Sequence, residues 1–115
     1  MTRNDITTLT RRHAAALHAE AQAARHAAEA KAGLGEIAAI AISEGYRTGK
    51  IAGKNADARA RAEKLHLAEH VDYRALEAHQ ARLQEQADAA RIRRQAIETE
   101  ISLTRAWLYS LSGSR

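Results

Sequence analysis

The sequence predicts an all-α protein, an elongated antiparallel helical hairpin with coiled-coil-like packing. Alanine is its commonest residue, with 28 copies among 115, and proline is absent. Alanine, leucine, arginine and glutamate are strong helix formers, whereas proline breaks helices. Isoleucine, leucine and valine total only 19, too few for a large compact core, and they recur three and four positions apart. Long helices that bury a narrow apolar seam account for all three observations.

The first predicted arm covers residues 5–45. Alanine and larger apolar residues follow three-four spacing through most of it, which is typical of one buried helix face. Its last part, EIAAIAISEG, fits a helix better than the short strand that its partial alternation would allow. Gly33 and Gly35 interrupt the pattern. We therefore expect a break at 33–35, which leaves either one weakened helix or two helices.

The predicted turn covers residues 46–54 and is rich in glycine, which adopts the positive φ angles of tight turns without steric cost. Gly45, Gly49 and Gly53 lie in or beside it. Asn55 then provides an N-cap for the next helix. Short connections join antiparallel neighbouring helices, so the chain, 1–115, is expected to form a single helical domain.

The second predicted arm covers residues 55–112 and contains no glycine or proline. From Tyr73 to Leu111 a heptad-like seam of mostly alanine and aliphatic residues can be followed, as in a coiled coil. The arginines of this arm, including Arg91 and Arg94, are interspersed with acidic residues. This mixture predicts a salt-bridged helix surface rather than a binding stripe.

Unequal arms predict that one end of the hairpin lacks a partner. If the turn is centred near residue 50, Ile6 lies near Arg94, and residues 97–112 extend past the first arm. Clustered apolar residues at a helix end indicate an interface. We expect self-association into a helical bundle, or docking of a protein partner, through Ile97, Ile101, Leu103, Trp107, Leu108 and Leu111. The alternatives are a first arm that folds back over this segment, another register, or arms that swap between chains.

Six basic residues lie around the predicted turn, opposed by only two acidic ones. They are Arg47, Lys50, Lys54, Arg59, Arg61 and Lys64. Such a cluster can neutralise phosphates, so a nucleic-acid-binding accessory protein is the alternative function. The segment GKIAGKN does not match a nucleotide-binding phosphate loop, because Thr48 and Asn55 occupy positions that require glycine and serine or threonine.

The sequence contains no pattern that predicts catalysis. His66 and His70 fit the H-x-x-E-H spacing of one class of zinc peptidases. A third ligand and a substrate cleft cannot be identified, and six histidines in 115 residues make a chance match easy. No nucleophile–base pair or carboxylate pair can be placed in a pocket. We expect a non-enzymatic protein with no metal, no cofactor and no small-molecule substrate.

Composition restricts the environment of the protein. Cysteine is absent, which excludes disulfides and thiolate metal sites and fits a reducing compartment, so we expect a cytoplasmic protein. The first residues lack the apolar core of a secretory signal, and no apolar run reaches the ~20 residues that a membrane helix needs. The net charge of +4 permits contact with an anionic partner.

The turn segment resembles small uncharacterised phage and prophage proteins in which a pattern like G-x-I-x-G-K-N-x-x-x-R separates two helical arms. The match is carried by Gly49, Ile51, Gly53, Lys54, Asn55 and Arg59. The resemblance implies an accessory protein encoded near recombination or replication functions, and it implies no catalytic residue. Together with the apolar C-terminal helix, it makes a non-enzymatic interaction or scaffolding protein of phage type the leading functional hypothesis.

Overall fold

The structure, a computed structural model, describes residues 3–113. Three helices account for almost all of them: α1 (Arg3–Arg47), α2 (Ala56–Glu69) and α3 (Val71–Gly113). No strand occurs within this described part, and the run EIAAIAISEG is helical. The all-α helical hairpin predicted from the sequence is therefore confirmed.

The chain forms two compact units, which are described separately. Unit 1 combines the described parts of 1–25 and 85–115, and unit 2 consists of His26–Gln84. Because α1 and α3 each contribute to both units, the single domain expected over residues 1–115 stays a prediction.

Helix α1 continues without interruption through Gly33 and Gly35, so the predicted break at 33–35 is wrong. A glycine inside a helix costs only about 1 kcal/mol relative to alanine. The alanine-rich sequence around these two positions offsets that cost. In unit 2, Gly33 lines a groove together with Leu76 and His79 of α3, so this part of α1 also packs against a neighbouring helix.

The connection between α1 and α2 covers residues 48–55, close to the predicted turn. Gly49 has a φ of +77°, a left-handed conformation that glycine adopts most readily. The amide of Ile51 donates to the Gly45 carbonyl oxygen at 3.0 Å. The Ile51 side chain is the most completely buried large side chain described, with 2% of its surface exposed. The loop is therefore held down by one apolar residue.

The start of α2 follows the sequence prediction, whereas its end does not. The side chain of Asn55 accepts a hydrogen bond from the Ala58 amide at 2.8 Å, which confirms the predicted N-cap. At His70 the backbone turns extended (φ −81°, ψ 112°), and its Nδ1 atom accepts a hydrogen bond from the Tyr73 amide at 3.1 Å. A single helix over 55–112 was expected, because no glycine or proline marks this break. The imidazole ring instead caps α3.

Unit 1 is held together by a narrow seam between α1 and α3. Leu9 of α1 and Ile97 of α3 are both buried. The other buried residues of α3 are Ala87, Ala90 and Thr104. The predicted register was wrong, because Arg94 pairs with Glu20 and Glu100 pairs with Arg12, whereas Arg94 was expected near Ile6.

Candidate protein-interaction surface

Ion pairs join the two helices of unit 1 beside the apolar seam. Arg94 of α3 donates to Glu20 of α1 and to Glu98 one turn further along its own helix. His13 contacts Glu98 at 3.1 Å. The hydrogen bond to His13, joined by that from Arg94, lowers the pKa of Glu98 below its ordinary value. The structure thus confirms the predicted salt-bridged surface at Arg94. Arg94 was expected to lie near Ile6, but its partner on α1 is Glu20.

Three of the six predicted interface residues are covered by their own chain. Ile97 is buried, with 8% of its surface exposed, and Ile101 and Leu108 are half-buried. Leu9 of α1 lines one pocket together with Ile101 and Leu108. The expectation that the whole segment 97–112 lacks intramolecular cover is therefore wrong, because the observed register brings the start of α1 over it.

The other three predicted interface residues are exposed. Leu103, Trp107 and Leu111 keep 66%, 46% and 48% of their surface accessible. Ile92, which the sequence reasoning did not include, is 61% exposed on the same helix. The structure thus separates the apolar C-terminal segment into a side that packs on α1 and a side that does not. That the exposed side forms an interface stays a prediction.

Three of the exposed large apolar residues of α3, Ile92, Leu103 and Trp107, share one side of the helix, whereas Tyr109 and Leu111 lie outside it. Seven uncharged, exposed residues form this side: Ala89, Ile92, Ala96, Thr99, Leu103, Ala106 and Trp107. We call them the outer face of α3. Ala90, Ile97 and Thr104 mark the buried side, and at 100° per residue the outer face lies roughly 130° around the helix from them. The outer face could have been found from the sequence by searching α3 for a second heptad repeat beside the first.

The outer face is not smooth. A shallow depression is lined by Gln95, Thr99, Ser102 and Leu103, together with Glu98. Of these five residues, only Thr99 and Leu103 belong to the outer face, so the depression lies at one edge of it.

The six basic residues predicted to contact phosphates are all exposed in unit 2. Lys50 and Lys54 lie in the loop 48–55, whose conformation is held by buried Ile51. Arg47 ends α1, and the other three lie on α2. Three of these cations therefore lie in or next to the loop, and three lie on the helix that follows it. Their contact with nucleic acid stays a prediction.

One of the two acidic residues near these six cations forms a side-chain hydrogen bond. Glu63 accepts a hydrogen bond from the Tyr46 hydroxyl at 2.8 Å. This hydrogen bond, together with partial burial and the negative charge of Glu63, raises the pKa of the Tyr46 hydroxyl above its ordinary value. Arg59 donates to the Gly53 carbonyl oxygen at 3.4 Å, so this cation also helps to order the loop.

The two histidines of the H-x-x-E-H segment form structural hydrogen bonds. His66 Nε2 lies 3.0 Å from the Ala41 carbonyl oxygen, and His70 Nδ1 accepts from the Tyr73 amide. Their ring centroids are 6.1 Å apart. Among residues 3–113, no group of three or more side chains suited to hold a metal ion is found. Within the same range, no helix has a stretch long and apolar enough to cross a membrane.

Comparison with protein families, with curated proteins and with solved structures found no match for this chain.

Proposed function

We propose that this chain is a non-enzymatic interaction or scaffolding protein that self-associates through the outer face of α3. The observation that carries this proposal is the exposure of Ile92, Leu103 and Trp107 on one uncharged helix face. Full burial of each such side chain contributes roughly 1.5–3 kcal/mol. A group of large apolar residues exposed on one face is the usual mark of a protein-binding surface. A cytoplasmic, phage-type accessory role belongs to the same proposal, supported by the loop resemblance and the lack of cysteine.

The outer face would act by helix packing and would need no chemistry. Leu103 and Trp107 provide large side chains, and Trp107 would be the anchor because aromatic residues often dominate interface energies. Ala96 and Thr99 are small and let a second helix approach closely. Arg94 and its partners stay on the other side of α3, so the proposed contact leaves the seam of unit 1 intact.

Replacing Leu103 by serine should weaken self-association by on the order of 100-fold, because a symmetric pair loses the burial of two leucine side chains. The matched control is Leu65→Ser on α2, which removes a leucine of similar exposure (60%, against 66% for Leu103) from a different surface. Light scattering over a concentration series measures the mass of wild type and both variants. A wild type that stays monomeric at the highest soluble concentration, or equal weakening by both substitutions, would contradict the proposal.

A second candidate function, nucleic-acid binding, is supported by the clustering of six accessible basic residues around the loop 48–55. Glu63 is held by Tyr46, which leaves Asp57 as the other carboxylate in this segment. Neutralisation of phosphates by such a cluster releases counterions, so any binding should weaken steeply as salt concentration rises.

The double substitution Lys50→Glu/Lys54→Glu should abolish this binding and leave the oligomeric mass unchanged. Fluorescence anisotropy with a labelled single-stranded and a labelled double-stranded oligonucleotide, each titrated at several salt concentrations, measures the affinity. The control is Arg25→Glu in unit 1, which reverses a charge away from the basic cluster and should change the affinity little. Binding that persists in the loop variant, or that ignores salt, would reject the second candidate.

A further inference from the structure

We propose that the outer face of α3 pairs antiparallel with the outer face of a second copy of this chain, with Arg93 of each copy against Glu100 of the other. This inference rests on the proposed self-association and names its occupant and its register. It is carried by the heptad spacing of the face and by the charges that flank it.

The outer face follows a heptad repeat of its own. Ala89, Ala96 and Leu103 are seven positions apart, and Ile92, Thr99 and Ala106 follow each of them by three. These are the two core positions of a coiled coil. The face therefore meets the spacing requirement for a second helix along its whole length, although the register predicted from the sequence used the opposite side of α3.

The core positions of this face alternate in size. Ile92 and Leu103 are large, Ala96 and Thr99 between them are small, and Ala89 and Ala106 end the series. An antiparallel partner sets Ile92 against Leu103 and Ala89 against Ala106, so every layer combines two residues that the face already contains. Trp107 follows Ala106 by one residue and therefore lies on the same flank as Arg93 and Glu100.

The same antiparallel register fills the middle of the interface. Ile92 of one copy faces Leu103 of the other, on both sides of the two-fold axis. Between these two layers, Ala96 of each copy faces Thr99 of the other. Both residues are small, so the two helices can approach closely. Such an arrangement uses one patch on both copies, as a two-fold symmetric dimer requires.

Charges beside the face favour the same register. Arg93 and Glu100 follow the core positions Ile92 and Thr99 by one residue, so both lie on one flank of the face. In the antiparallel pair, Arg93 and the Glu100 of the second copy lie between the same two core layers, and the symmetry produces the contact twice. A parallel pair would set Arg93 against Asp88 and Glu100 against uncharged Gln95, which leaves the carboxylate without a cation from the second copy.

Both groups are available for this contact. Arg93 is exposed and forms no ion pair with its own chain within residues 3–113. Arg12 contacts Glu100 at one oxygen only, Oε2, at 3.3 Å, which leaves Oε1 for the guanidinium of the second copy. Asp88, which a parallel pair would use, already contacts Arg91 at 3.6 Å.

Disulfide trapping of the full chain tests the register, because the natural sequence contains no cysteine. Two variants, Ala89→Cys and Ala106→Cys, are oxidised separately and as an equal mixture. Ala89 of one copy faces Ala106 of the other in the proposed pair, so the mixture should yield a crosslinked dimer. Two copies of position 89, or two copies of position 106, would lie about 26 Å apart along the axis of that pair, far beyond the reach of a disulfide. Each variant alone should stay uncrosslinked.

The outcomes separate this inference from the proposed function on which it rests. Crosslinking of each variant with itself would show a parallel pair and overturn the inference. A dimer in light scattering that no combination crosslinks would place the contact elsewhere, which overturns the register and leaves self-association standing. A monomeric wild type would overturn both.

Charge exchange provides a second, independent measurement. Arg93→Glu and Glu100→Lys should each weaken the dimer about three- to ten-fold, as expected for two exposed ion pairs turned repulsive. The double variant Arg93→Glu/Glu100→Lys should restore most of the affinity, because the contact re-forms with its signs reversed. Additive weakening in the double variant would overturn the proposed pairing of these two residues.

Discussion

Replacing Gly45 by alanine should destabilise unit 2 by roughly 0.5–2 kcal/mol, although alanine is the better helix former. A Cβ atom built on Gly45 would lie 2.6 Å from Ile51 Cγ1 and 3.1 Å from His66 Nε2. Such an atom displaces the Ile51 side chain, and loss of its burial removes roughly 1.5–3 kcal/mol. The gain in helix propensity, about 1 kcal/mol, offsets only part of this loss.

The matched control is Gly33→Ala, the same change in the same helix. No atom lies within 4 Å of a Cβ built on Gly33, so this substitution should stabilise the protein by up to about 1 kcal/mol. Urea denaturation followed by circular dichroism measures both. A double-mutant cycle with Ile51→Ala identifies the cause, because Gly45→Ala should cost little once the Ile51 side chain has been shortened. Equal effects at the two glycines would show that the loop does not pack on Gly45 as described.

Ile97→Ala should lower the free energy of unfolding by about 2–4 kcal/mol, because it removes a buried side chain and leaves a cavity between α1 and α3. Ile92→Ala, the same substitution five residues earlier in the same helix, should change it by less than about 0.5 kcal/mol. The difference follows from exposure, which is 8% for Ile97 and 61% for Ile92. Denaturation is measured at a protein concentration low enough for light scattering to show the monomer.

Self-association should be weakened more by Ile92→Ala than by Ile97→Ala, the reverse of their effects on stability. Ile92→Ala should weaken it, because Ile92 belongs to the outer face of α3, whereas Ile97 faces α1. If Ile97→Ala leaves too little folded protein for this measurement, Ile97→Val, which costs about 0.5–1.5 kcal/mol, takes its place. Equal destabilisation by the two alanine substitutions would contradict the assignment of the two sides of α3.

Much of the fold follows from local properties of the chain. Alanine-rich segments without proline form helices in most surroundings, so the all-α class was readable from composition and spacing. The N-cap at Asn55 was readable as well, because one side-chain oxygen and one amide three residues away suffice. The accessible positions of the six basic residues also agree with their sequence, since charged side chains avoid burial.

The predicted helix boundaries were wrong where small differences in helix propensity were outweighed by other contacts. Two glycines predicted a break in α1, but their cost is small in an otherwise strong helix. His70 ends α2 without any of the usual residues, because its own ring accepts the hydrogen bond from the Tyr73 amide. Neither outcome could be read from propensity, which differs by at most about 1 kcal/mol between the competing states.

Register had the largest effect on the candidate site, and tertiary structure alone decided it. Sequence spacing identified an apolar C-terminal segment, and that identification stands. Which of its residues meet α1 depends on the pairing of α1 with α3, which sets Arg94 beside Glu20 and Glu100 beside Arg12. A helix with two apolar sides presents two equally regular seams, and only packing against α1 distinguishes them. That packing buries Ile97 and leaves Leu103 and Trp107 exposed.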